Sequence, residues 1–489
     1  MFVVSKVKAK VTKDNTGILY EIPILITDTG ELSNLTDYIL KLKSDDSSIS
    51  KINETIRVVI LFLEYLFVHK DLSYNPQLIF SNFAEKLYTG TIGTDGMDPS
   101  HLYWTGHTIK TANKYLLQIT DFFDWLNKEK KFEHLNPLVD ANKHEERINY
   151  AAYFKKHQYN FLGHIKRSNI NETAKRVRKI KNKKVKSSRD GNTKSFPNPL
   201  FKPLLVEGFG KKKDSRASLR DTLIVLLMHY GGLRVSEALS LWVTDVYEHY
   251  EDTTHAIVKI YDENEGIAPY DWKDRNGDGK RKAYLKQKYQ RIPRIDQMGT
   301  QYLGRKVVLE DSKDGYIQVQ WFPSSVGIIF MKYWKIYLKI RASIDCDHPY
   351  AFIAFEKSSI GNPYTIRAFE SNYKNALIQI GHKQNAAMGL TPHAHRHSYG
   401  RRLMDAKVDP TVIKKAMHHK NIESQQVYTE PNLKELSRLL DEASVQLNSG
   451  VKQELDDMSW EMLTQYGFND IDPSGLFTGI EPSLKKKKR

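Results

Sequence analysis

The sequence predicts a mostly α-helical chain with a small antiparallel β-sheet, organised as a helical domain followed by a mixed α/β domain. Three observations carry that expectation. Apolar residues recur at helical 3,4 spacing through the first third, as in Ile109, Ala112, Leu116, Ile119, Phe123 and Leu126. Further helical patterns after residue 219 enclose three short β-rich runs, AIVKIYD (256–262), KVVLED (306–311) and YIQVQWF (316–322). Between the two regions, residues 166–199 lose all periodicity, carry a large surplus of lysine and arginine, and end in Phe-Pro-Asn-Pro.

Each element follows from local chemistry. Residues 1–30 hold two β-rich runs around a turn containing Asp14, Asn15 and Gly17, the pattern of a hairpin. Residues 31–165 then read as a small all-α domain whose helices include Ile52–Val68, and residues 166–199 as an extended linker. The second domain, residues 200–447, opens with an apolar helix over Leu219–Tyr230. Gly231 and Gly232 stop that helix, and Val235–Trp242 follows at once. Ser312–Gly315 (SKDG) supplies a hairpin turn between the last two β-rich runs, and residues 263–302, polar and glycine-containing, read as an insertion within the sheet. Helices are expected again over Val326–Ile340, Thr365–Ile380 and Arg396–His419. Asp409 and Pro410 form an N-cap and N1 pair for the last of these. A stripe of Leu433, Leu436, Leu440, Ala443 and Leu447 marks a final helix that could dock on a neighbouring subunit as readily as on its own core, and residues 448–489 form a tail with a basic end.

Charge narrows the function. The 489 residues carry +16, yet the twelve Lys/Arg and two acidic residues between Lys166 and Lys194, with the five basic residues Lys485–Arg489, account for 15 of those charges. The remainder is almost neutral, so the chain resembles ordinary globular material with two basic attachments, which favours an anionic polymer, nucleic acid first and a membrane surface second. The single cysteine, Cys346, excludes an intrachain disulfide and a Cys-based zinc site, and fits the cytoplasm. The N-terminal residues lack the apolar core of a signal peptide, and the run Val58–Val68 is too short to span a bilayer and contains Glu64, so export and membrane insertion are not expected.

Three segments concentrate reactive side chains: GGLRVSEALSLWVTDV around Arg234, TPHAHRHSYGRRL around His393 and Arg396, and MHHKNIESQQVYTEP around His419 and Tyr428. Together they resemble the tyrosine recombinase (phage integrase) family, whose pattern is an Arg in GLRxSE, then HxxRH opening a helix, then a His after Gly, then a Tyr. Arg396 and His419 are 23 residues apart and His419 and Tyr428 are 9 apart, intervals that suit the family. The departures are the 159 residues between Arg234 and His393, longer than in compact members, and His418 where Gly is usual. The resemblance spans roughly Leu219–Pro431 and implies a helical core-binding domain plus a tyrosine-recombinase catalytic domain.

The chemistry suits these residue types. A phosphodiester resists nucleophiles because it is an anion, so the transition state requires fixed cations, and the guanidiniums of Arg234 and Arg396 can bind its non-bridging oxygens bidentately. A tyrosine hydroxyl, with a pKa of about 10, attacks only when its proton is accepted nearby, which an imidazole can do near neutrality. The resemblance makes His393 that base, His419 a hydrogen-bond donor to the transition state, and Tyr428 the nucleophile that forms a 3′-phosphotyrosyl link. That link conserves the bond energy, so rejoining needs neither ATP nor metal, and no cofactor is implied. The family also uses a hairpin lysine as general acid: Lys306 is favoured, with Lys313 and Lys286 (in LKQKYQRIPRI) as alternatives. The implied partner is double-stranded DNA, bound as a homotetramer on two sites, with accessory DNA-bending proteins and a nucleoid-associated location.

Other readings account for less. His393, His395 and His397 lack a Cys or carboxylate partner at metal-site spacing. Asp274, Asn276, Asp278 and Gly279 begin like a calcium loop, but Leu285 stands where Glu is needed and Lys280, Arg281 and Lys282 crowd it. A helix-turn-helix around Asp409 leaves Arg234 and Tyr428 unexplained. A topoisomerase of type IB character and a noncatalytic DNA-binding accessory protein remain alternatives at this level.

Overall fold

The computed structural model describes residues 4–12, 19–45, 47–69, 75–157, 175–184, 195–211, 214–272, 279–305, 310–418 and 433–448. The chain divides into two compact units, Met1–Asp190 and Gly191–Arg489. It is mostly helical with small antiparallel sheets, as the sequence predicts. Among the described residues no helix is long and apolar enough to cross a membrane.

The first unit opens with the expected hairpin. Strand β1 (Val4–Thr12) pairs antiparallel with β2 (Leu19–Thr27), in a register running from Val4 opposite Thr27 to Thr12 opposite Leu19, and the two-residue β3 (Gly30–Glu31) adds to β2. Four helices follow: α1 (Ser33–Ser44), α2 (Ile49–Val68), α3 (Pro76–Thr89) and α4 (Ile109–Lys130). Their starts are chemically marked. Ser48, Asn75 and Thr108 each accept a backbone N–H of the first turn through their side-chain oxygens, and Pro76 occupies N1, where no N–H is needed. The inward stripes of these helices bury Ile56, Phe62, Phe80, Phe83, Leu116 and Ile119 in one core.

The expected linker is shorter than its composition suggests. Residues 175–184 belong to the first unit: β5 (Arg176–Arg178) pairs with β4 (Leu138–Asp140), and between those strands lies α5 (Lys143–His157). Arg178 reaches the Asp124 carboxylate and the Asn136 carbonyl, and Asn136 Oδ1 accepts the N–H of Ile180 at 2.8 Å. The strand is only the three residues Arg-Val-Arg, too short for periodicity to mark it within its basic surroundings. The other end of the stretch is also structured. Phe196 is buried in the second core and its N–H donates to Ser398 Oγ at 2.8 Å.

In the second unit, α6 (Ser215–His229) is almost wholly buried at the centre, as its continuous apolar run predicts. Around it pack α9 (Val326–Ala342), α10 (Ile366–Gln379) and α11 (Pro392–Asp405), with the short α7 (Val235–Leu239) following the glycine turn. A three-stranded sheet, β6 (Val246–Glu248), β7 (Ala256–Tyr261) and β8 (Tyr316–Gln318), covers one side in that order. Ser312–Gly315 forms the expected turn, with the Gly315 N–H bonded to Ser312 O and Gly315 at φ +78°. The region 263–302 is more than a loop, because it contains α8 (Arg281–Tyr289). Buried Arg281 anchors that helix, forming a two-point ion pair with Asp245 and lying between the rings of Trp242 and Tyr261. The helical pattern over 396–419 breaks into α11 and α12 (Pro410–Ala416), and Asp409 caps α12 as expected. In α13 (Leu433–Asn448), Leu440 and Ala443 bury themselves against Tyr399, Leu403 and Val412 of their own unit, so this part of the stripe is not available to a neighbour.

Candidate active site

The site begins at the end of α6. Gly232 has φ +69°, and a Cβ there would lie 2.6 Å from the ring of Tyr399, so both conformation and space demand glycine. The turn delivers Arg234 to the N-cap of α7. Three residues on, Glu237 accepts the Arg234 backbone N–H at 2.8 Å and its guanidinium at 2.5 Å. Arg396, 164 residues from Gly232 along the chain, donates to the Gly232 and Met417 carbonyls and lies 3.7 Å from the same Glu237 carboxylate. Two cations from distant segments therefore share one buried anion. Burial resists ionisation of Glu237, but the guanidiniums of Arg396 and Arg234 and the Arg234 N–H outweigh it and hold the carboxyl below its usual range. For Arg396, burial dominates and, with Arg234, pushes the group down to about 10 against the pull of Glu237.

Arg234 keeps about a fifth of its side chain exposed while Arg396 is buried. The pair thus offers one accessible fork braced by a rigid one. Buried Arg294 supports the far end of α7, donating to the Leu239 and Tyr364 carbonyls. Glu237 was absent from the residues expected from sequence. Its signal was there: a carboxylate three residues after an N-cap is the second half of a capping box.

Helical phase separates the histidines of α11. His393 is exposed in the first turn, one helical step from Arg396, with its ring against that of His397. His395 points into the core. Arg402 donates to His229 Nε2 at 2.8 Å, so His229 must donate through Nδ1 to His395 Nδ1 (2.9 Å), and His395 Nε2 in turn donates to the Tyr373 hydroxyl (2.9 Å). Burial, with Arg402 beside it, pushes His395 down to about 3, and it is neutral.

The remaining expected residues are placed unevenly. Lys313 is exposed on the Ser312–Gly315 turn, and Lys286 is exposed on helix α8, where its sequence context was expected to form a hairpin. Lys306, His419 and Tyr428 lie outside the described residues, as does the 306–309 part of the expected strand. His418, where the family's Gly is usual, adopts φ +51°, the left-handed region that favours glycine. Its ring is buried with Nδ1 3.8 Å from Asp311.

Residues 325–435, which include His393, Arg396, His419 and Tyr428, match the model of the phage integrase family. This stretch of the second unit is therefore similar to the phage integrase family, the tyrosine recombinases. Transposase A from transposon Tn554 of Staphylococcus aureus is 20% identical over 314 residues, 64% of each chain. Tyrosine recombinase XerC of Haemophilus influenzae is 28% identical over 107 residues, 22% of this chain and 34% of the relative. The chain thus matches less than two thirds of the length of these relatives. Among solved structures, XerH site-specific recombinase bound to palindromic difH substrate is 14% identical, covering 85% of this chain and 84% of that one with a TM-score of 0.42.

Proposed function

We propose that this chain is a site-specific DNA recombinase that cuts and rejoins duplex DNA through a 3′-phosphotyrosyl intermediate, serving the integration or excision of a mobile element. The observation that carries the proposal is the convergence of Arg234 and Arg396 on Glu237, beside the His-x-x-Arg turn of α11. In the free protein Glu237 compensates the two guanidiniums. A phosphodiester arriving at Arg234 exchanges that fork's carboxylate contact for a non-bridging oxygen, while buried Arg396 supplies a fixed field that strengthens as charge builds in the transition state. His393, exposed at the helix start, accepts the tyrosine proton. Tyr428 attacks phosphorus, the 5′-oxygen leaves with a proton from Lys306, and His419 donates to the phosphoryl oxygens. The Tn554 transposase relative supports the mobile-element role. Strand exchange between two duplexes calls for four protomers on two sites, with DNA-bending partners a further part of the proposal. The basic residues 166–194 contribute salt-dependent phosphate contact.

The test is to trap covalent protein–DNA adducts on genomic DNA, map their ends, and repeat on nicked suicide duplexes carrying the mapped site. Adduct is expected with the wild type and none with Tyr428→Phe. Adduct that persists in that variant removes Tyr428 as nucleophile, and site-specific binding without any wild-type adduct turns the reading to a noncatalytic DNA-binding protein.

A further inference from the structure

His418 occupies a backbone position that costs a non-glycine residue strain, and its imidazole is buried where a glycine would leave space. The residue before it, Met417, supplies the carbonyl that holds the Arg396 guanidinium. On one side Nδ1 faces the Asp311 carboxylate, itself fixed by the Gln318 N–H at 2.8 Å. On the other, Nε2 is buried and has no hydrogen-bond partner among the described residues. A carboxylate near one ring nitrogen, and a second nitrogen without a partner among the described residues, on the residue next to the one whose carbonyl holds Arg396, is the arrangement by which a carboxylate orients an imidazole toward a reacting group.

We propose, resting on the recombinase reading, that His418 is an additional hydrogen-bond donor to the scissile phosphate, with Asp311 as its positioning residue. The charged groups around the ring set its behaviour: Glu237 favours the imidazolium, Arg396, Arg305 and Arg234 oppose it, the Asp311 carboxylate lies 3.8 Å from Nδ1, and Lys415 and Glu310 act on Asp311 in opposite directions. In the free protein burial dominates and pushes His418 down to about 4, while burial pushes Asp311 up to about 6. A phosphate between the arginines adds negative charge beside Nε2 and offsets the arginines' repulsion. The ring then takes up a solvent proton and donates through both nitrogens, one to Asp311 and one to the phosphate. No bond other than N–H is made, and the proton returns to solvent on release.

The left-handed backbone provides a clean test. His418→Gly removes the ring at a position glycine favours, and His418→Asn keeps a donor that tolerates the same φ but cannot titrate. Single-turnover cleavage of the mapped suicide duplex by the full chain, measured across pH, reads the effect. His418→Gly is expected to cleave on the order of 10²-fold more slowly than wild type with DNA affinity little changed. The wild-type rate is expected to fall as pH rises past the pKa of the DNA-bound ring. In His418→Asn that limb disappears, and in Asp311→Asn it moves to lower pH, because the imidazolium loses its carboxylate. Wild-type rate and pH profile in His418→Gly, or an unmoved limb in Asp311→Asn, overturns the proposal while leaving the recombinase reading intact. Failure of the wild type to form adduct overturns the reading itself.

Discussion

Two neighbouring residues of α11, His395 and Arg396, enter two different buried polar clusters. The His395 cluster is closed: Arg402, His229, His395 and Tyr373 pass donors and acceptors in one direction, and Phe196 stacks on His395 with ring centroids 4.3 Å apart. The Arg396 cluster is open. Glu237 holds two cations with a single carboxylate, and Arg234 stays partly exposed. A closed network builds the fold, whereas one with excess cationic charge and a path to solvent is prepared for an anion.

The largest effect expected to separate them is on the rate. Arg396→Lys keeps the charge but loses the fork, so single-turnover cleavage should fall on the order of 10²- to 10³-fold while thermal unfolding moves by only a few degrees. A large loss of stability with an unchanged rate per folded molecule would place Arg396 in the closed class. His395→Leu should do the reverse. It leaves the Tyr373 hydroxyl and His229 Nδ1 without partners, at about 2–3 kcal/mol in denaturant unfolding of the second unit, with cleavage by the folded fraction changed only severalfold.

A smaller effect follows from pH. His395 is held down to about 3 in the folded chain and returns to about 6.5 when unfolded, so between those values the unfolded state binds the extra proton. Stability should therefore be intact above pH 6.5 and decline as pH falls toward 3, by about 1 kcal/mol per pH unit, and His395→Leu should flatten that slope. The smallest effect is expected in the first unit. Arg178→Ala loses a partly exposed ion pair with Asp124, and the unit should weaken by no more than about 1 kcal/mol, read by urea unfolding. A larger loss would make β5 a part of that unit's core.

The order of elements was legible because helix stripes, caps and turn residues act locally. Asn75–Pro76, Asp409–Pro410 and Ser312–Gly315 each do in the structure what their chemistry predicts. Tertiary partners decided what local pattern could not. The strand at Arg176–Arg178 exists because Asp124 and Asn136 receive it, and α8 is seated because Arg281 finds Asp245 between two aromatic rings. Glu237 could be read from its spacing as a capping carboxylate, but its second cation comes from a helix more than 150 residues later.

The uneven distribution of the +16, the predicted helix and strand order and the motif residues around Arg234, Arg396 and Tyr428 came from sequence alone, because residue type and near-neighbour spacing are written in the chain. Which of the four polar residues in His-Ala-His-Arg-His would face the core, the carboxylate or solvent was decided only by packing. Successive helical residues differ by about 100° in direction, and what lies along each direction is contributed by segments distant in sequence.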